Sequence, residues 1–189
     1  WTSDKLNFLM KLVNPEKEPM NFKPILYGII ALTISATSIP VQAQDPSPMF
    51  ATKSLTPEAA LKVAQATLKA CSAKSFQVAV AVVDRGGHMQ VMLRDRFAGP
   101  HTPETARRKA WTALSFRTNT TQMSNFTQPG EAASGTRHIR DALMLGGGVM
   151  IRAGGQLVGA VGVSGATSGQ ADEDCAVKGI GSIQDELDF

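Results

Sequence analysis

The side chains from which chemistry could be built are few: three histidines (His88, His101, His138), two cysteines (Cys71, Cys175) and a serine among glycines, Ser164. Ser164 lies in Gly162-Val163-Ser164-Gly165, which lacks the G-x-S-x-G spacing of a nucleophile elbow, and no His-Asp pair accompanies it. The H-E-x-x-H spacing of a metal hydrolase is absent too. No residue is assigned a catalytic role, and the spacing leaves open whether the chain is an enzyme. Neither cysteine has a second Cys or His at zinc-ligand spacing beside it, so the pair is either a disulfide in an oxidising compartment or two buried thiols.

His101 stands out by its company. It precedes the helix start Thr102-Pro103-Glu104, with Phe97 just upstream and Arg107-Arg108-Lys109 one turn on. An imidazole, an aromatic ring and cations are what haem would use as axial ligand, packing surface and propionate partners. The candidate cofactor site is therefore Phe97, His101, Thr102, Arg107, Arg108 and Lys109, with His101 as the iron ligand. A loop histidine beside a solvated basic helix face is the alternative. His88 follows a turn, where histidines are usually solvated, and His138 has no neighbours that raise it further.

The element that must organise such a site is the stretch from Leu145 to Gly165. Val149 to Ala153 and Gln156 to Val163 read as strands joined by the two-residue turn Gly154-Gly155. Its glycines do not follow G-x-G-x-x-G or G-K-[ST] spacing, so they are not a nucleotide fingerprint. Glycines in strands mark bulges, close packing against a helix or a partner subunit, or a ligand against the backbone.

A Thr56-Pro57 start opens a helix to about Ala73, with Leu61, Ala64, Leu68 and Cys71 as its buried stripe. Phe76 to Val83 and His88 to Arg94 form a second hairpin, the first strand buried on both faces and the second half-exposed. A helix from Thr102 as N-cap to about Phe116 carries a stripe of Ala106, Ala110 and Ala113. Thr118 to Gly135 reads as a long loop or broken helix, with a short helical turn over 138–143. A last helix spans roughly Asp172 to Glu186, interrupted by Gly179 and Gly181, with Asp172, Glu173 and Asp174 at its positive end. Strands joined by tight turns are antiparallel, which predicts an α+β fold: an antiparallel sheet flanked by helices.

With 189 residues the chain is one domain's worth, and its net charge of +3, with scattered basic residues, disfavours nucleic-acid binding. Residues 1–19 precede Met20, begin with Trp1 and read as an upstream extension without a structural role. Residues 20–43 read as a secretory signal peptide: Lys23, an apolar run from Ile25 to Ile39 and a small-x-small pattern at Val41-Gln42-Ala43. That run is shorter than the about 20 residues a membrane span needs, so no membrane association is expected after cleavage. Residues 44–53 are a leader, and residues 54–189 the domain, placed in the periplasm or outside the cell.

VAVVDRGGHM, the later ARRKAWTA and the ending GGGVMIRAGGQLVGAVGVSG with DEDCAVKGI resemble the GlcG/HbpS-like haem-binding family, and are similar to the C-terminal domain of PduO-type proteins. The likeness runs over about residues 54–187. It implies an α/β sandwich with an antiparallel sheet, homo-oligomers, and haem binding with roles in haem sensing, storage or degradation. Asp84, Gly86, Gly87, Ala106, Lys109, Ala110, Gly159 and Gly162 carry over as fold or pocket markers, whereas His101 as ligand comes from this chain's own pattern. The second functional reading is a non-haem small-molecule or accessory protein, with an organic acid or corrinoid-like ligand in the same groove.

Overall fold

A computed structural model describes residues 48–188. The segments assigned to 1–19 and to the signal peptide, and the first part of the leader, lie outside the described residues. The elements are α1 (Pro57–Ser72), β1 (Ala79–Asp84), β2 (Met89–Arg94), α2 (Thr102–Phe116), α3 (Thr120–Phe126), a 3-10 turn (Ser134–His138), β3 (Gly148–Ala153), β4 (Gln156–Ser164), α4 (Gly169–Gly181) and α5 (Gln184–Leu187). The strands form one sheet in the order β2-β1-β4-β3, every neighbouring pair antiparallel. This is the expected α+β fold, and both hairpins are where the turn residues put them. Gly154 and Gly155 take φ of 52° and 79°, the left-handed pair that a two-residue turn with the twist of its strands requires.

The sheet is covered on both faces. From β1, Val80 and Val82 join the core shared with α1 and α4, while Ala79, Ala81 and Val83 face α2. That is the period-2 alternation of a strand buried on both sides. β2 is an edge strand and half-exposed, as its alternation predicts. On the α2 face the contact is small upon small: Ala106, Ala110 and Ala113 lie against Ala79, Ala81 and Ala160. A Cβ on Gly162 would run into the backbone carbonyl of Ala106, and one on Gly148 into that of Lys109. These strand glycines therefore serve close packing against a helix.

Several local expectations shift. The buried face of α1 is Ala60, Val63, Ala64, Thr67 and Cys71; Leu61 is 40% exposed and Leu68 only half-buried. The helix is turned so that its small residues meet the sheet and α4, where Thr67 fits against Gly179. Thr56 caps α1 as expected, accepting from the Ala59 N–H at 3.2 Å. Thr102 does not cap α2: it is the first helical residue, and its Oγ1 donates to the Gly99 carbonyl at 2.7 Å. The last helix starts three residues before Asp172, capped by Ser168; it runs through Gly179 and breaks at Gly181 before α5, the second of the two expected interruptions. The broken helix over 118–135 is α3, and the helical turn expected over 138–143 lies instead at Ser134–His138.

Cys71 and Cys175, both fully buried, form a disulfide that joins α1 to α4 with a Cα–Cα distance of 5.3 Å.

Candidate functional site

A cavity of about 440 Å³ opens where the N-terminal ends of α2 and α4 meet the C-terminal end of β4 and the residues leading into β1. Phe97, His101 and Leu145 stand at its mouth, with Gln77, Lys109 and Asp172 among its lining. Gly99-Pro100 brings His101 into place. The imidazole lies so close over Gly99 that a Cβ there would be 2.8 Å from its Cε1. The ring is exposed, and its nitrogens have no protein partner among the described residues. Phe97 is 78% exposed, an unusual cost for a large apolar ring unless something covers it. Thr102 is buried and spent on the Gly99 carbonyl, so it shapes the loop that carries His101.

The three basic residues part company, because successive positions on a helix point about 100° apart. Arg107 turns away from the cavity: its Nε donates to Glu104 at 2.8 Å and its Nη2 to Asp141 at 2.8 Å. The guanidinium holds both carboxyls below their ordinary range and is itself pushed up by them. Arg108 donates to the Ala142 carbonyl at 2.6 Å. Both arginines therefore hold the 141–142 segment, and neither lines the cavity as a propionate partner would. Lys109 does reach it, but not as a solvated cation. Its Nζ is buried at the cavity floor, donating to Asp172 at 2.8 Å and to the Val163 carbonyl at 2.9 Å. Asp172 also accepts from the Ala166 N–H at 2.9 Å. Burial nevertheless pushes its carboxyl above the usual range, outweighing the opposing pull of Lys109.

Three lining residues escaped sequence reasoning. Asp172 was legible only as a helix-dipole carboxylate, since its partner Lys109 is 63 positions away. Ser164 signalled nothing beyond the missing elbow, yet lines the floor. Gln77 had no local signal at all, and its Oε1 is sealed from solvent without a hydrogen-bond partner. A buried, unpaired amide oxygen costs about 1–3 kcal/mol unless a ligand or water answers it.

His88 is 81% exposed, 3.5 Å from Asp84, and His138 is exposed on the 3-10 turn; neither belongs to the cavity. Among the described residues no three His, Cys, Asp or Glu side chains could together hold a bare metal ion. A metal that brings its own macrocycle needs only one protein ligand, and His101 is free to be it. The residues fit haem on that side: a free imidazole, a bare aromatic ring and an orphaned polar atom around one cleft. The carboxylate side is less provided for than the basic run suggested.

A family model described as "Haem degrading protein HbpS-like" matches residues 55–181. The corrinoid adenosyltransferase PduO of Salmonella typhimurium is 36% identical over 108 residues, which is 56% of this chain and 32% of that protein. The chain thus spans about a third of that relative's length. Among solved structures, a double mutant of HbpS from Streptomyces reticuli is 36% identical with a TM-score of 0.69, covering 77% of this chain and 97% of that one. A PduOC:heme complex is 30% identical with a TM-score of 0.65, covering 69% and 95%.

Proposed function

Because the chain belongs to the HbpS-like family, we propose that it is an exported haem-binding protein that takes haem in the cavity between α2 and α4. The observation that carries this reading is His101, an imidazole without a protein partner at the mouth of that cavity beside the bare ring of Phe97. The PduOC:heme neighbour supports the choice of ligand. Bound haem would supply an iron centre for sensing, storage or redox turnover. The chain's own part is to ligate through His101, to cover one macrocycle face with Phe97 and to meet a polar edge with Gln77.

The test is an absorbance titration with hemin, wild type beside His101→Ala. A saturable Soret shift in the wild type, lost or displaced in the variant, is the expected result. A shift identical in both would keep haem and remove His101 as ligand; no shift in the wild type would remove haem.

The second reading, a small organic acid or corrinoid-like ligand in an accessory protein, draws support from the PduO likeness. A thermal-shift series with hydroxocobalamin, citrate and hemin separates the two. Export to the periplasm or beyond the cell is supported by the buried disulfide, a bond at home in oxidising compartments. Mature protein from an extracytoplasmic fraction should begin at Gln44. Homo-oligomerisation belongs to the same proposal, and mass from light scattering tests it.

A further inference from the structure

A second cleft, of about 240 Å³, lies between the β1–β2 turn and the C-terminal turn of α2. It is lined by Arg85, Gly86 and Gly87 from the turn, and by Trp111, Leu114, Ser115 and Arg117 from the helix end. No acidic side chain lines it. The nearest carboxylate, Asp84, is spent on its own turn, accepting from the Gly86 and His88 N–H groups at 2.9 Å and from Gln90 at 2.9 Å. Three of the helix-end carbonyls are answered as well: Leu114 by the Arg117 N–H, Ala113 by the Thr118 N–H and Phe116 by the Thr118 hydroxyl.

What remains is a set of donors. The guanidinium groups of Arg85 and Arg117 have no side-chain hydrogen bond or ion pair among the described residues, and the Trp111 indole N–H has no acceptor there. Ser115 adds an exposed hydroxyl. The backbone of both arginines is fixed. The Arg85 N–H is held by Ser54 Oγ at 3.1 Å, and Arg117 is set in the left-handed region at φ 53° as the cap of α2. Gly87, at φ 84°, packs beside the indole edge: a Cβ there would sit in ordinary contact, 3.5 Å from Trp111 Cδ1 and 3.6 Å from Nε1. Both arginines line one cleft that has no acid in its lining, whereas elsewhere on α2 Arg107 is doubly paired. A cleft with two unpaired guanidinium groups and no carboxylate in its lining is complementary to an oxyanion.

We propose that this cleft is a binding site for a small oxyanion, carboxylate or phosphate, separate from the α2/α4 cavity. Trp111 makes it directly readable. In the full chain carrying Trp1→Phe, Trp111 is the only indole. Its emission is titrated with inorganic phosphate and, separately, with citrate, at constant ionic strength held with chloride. The expected result is a saturable change with one or both anions and none with chloride, the two arms telling phosphate from carboxylate. Arg85→Gln and Arg117→Gln should each weaken binding about tenfold, with Arg85→Lys intermediate, while circular dichroism shows an unchanged fold. A response equal to that of chloride, or one that survives both glutamine variants in folded protein, overturns the site.

Discussion

Arg107 holds Glu104 and Asp141 at once, and so ties the start of α2 to the segment that precedes β3. Both carboxyls are held below their ordinary values of 4.5 and 3.8. A lowered folded-state value means stability that is present above the unfolded value and lost as pH falls through the folded one. Asp172 acts in the opposite sense. Its raised value makes the folded state take up a proton first, so its contribution is largest in acid and lost as pH rises through the folded value. Arg107→Gln should therefore lower the melting temperature at neutral pH and flatten its decline between about pH 5 and 3, where carboxylates titrate. A melting series over that range, wild type beside variant, checks it; parallel curves would count against Arg107 as the cause. At this scale the sequence was only partly legible. His101 and Phe97 were visible as a local cluster and do share a cavity mouth. Arg107 and Arg108 were adjacent to them in sequence and point elsewhere, and Gln77 and Asp172 come from remote segments, which no local spacing can announce.

The elements were easier to infer, because hydrophobic period and turn chemistry are local. Apolar, β-branched-rich runs bounded by glycine turns place both hairpins, and Thr-Pro pairs place two helix starts to within a residue. Of the stripe that helical spacing predicts on α1, Ala64 and Cys71 are buried, whereas the larger Leu61 and Leu68 are not. Here close approach selects small side chains, and Leu61 is left outside. The same principle sets a strict test on the other face of the sheet. Gly162 lies under α2 with no room for a methyl group, its neighbours being helix backbone that cannot move aside alone. Gly162→Ala should destabilise the fold by at least about 1–3 kcal/mol, the usual cost of overpacking, as measured by urea denaturation. Gly154→Ala, by contrast, meets nothing within 4 Å and bears only the strain of its left-handed turn.

Across the whole domain, the disulfide closes a sequence separation of 104 residues, joining the first described helix to α4. In chain-entropy terms a loop of that size is worth about 4–5 kcal/mol, with measured losses typically about 2–5 kcal/mol. The Cys71→Ser, Cys175→Ser double variant should lose stability of that order in denaturant titrations, and added reductant should then change nothing further. Two cysteines in a sequence leave the choice between bond and thiols open, because pairing depends on where two distant helices cross. The α+β fold needed no such knowledge: hairpins, a doubly buried strand and flanking amphipathic helices leave few other arrangements.

The smooth contact between α2 and the sheet has one more consequence. Alanines resting on glycines and alanines form a bearing surface, with no knobs and holes to index one part against the other. Lys109 acts as the dowel in that bearing, passing from the helix to the Val163 carbonyl and Asp172 at the floor of the cavity. Cut back to methionine, it would lose the one hydrogen-bonded tie, among the described residues, from this helix to β4 and α4, leaving its register to the Arg107 and Arg108 contacts with the 141–142 segment. The loss would be felt as play in the shape of the cavity mouth, since His101 rides on the end of that same helix.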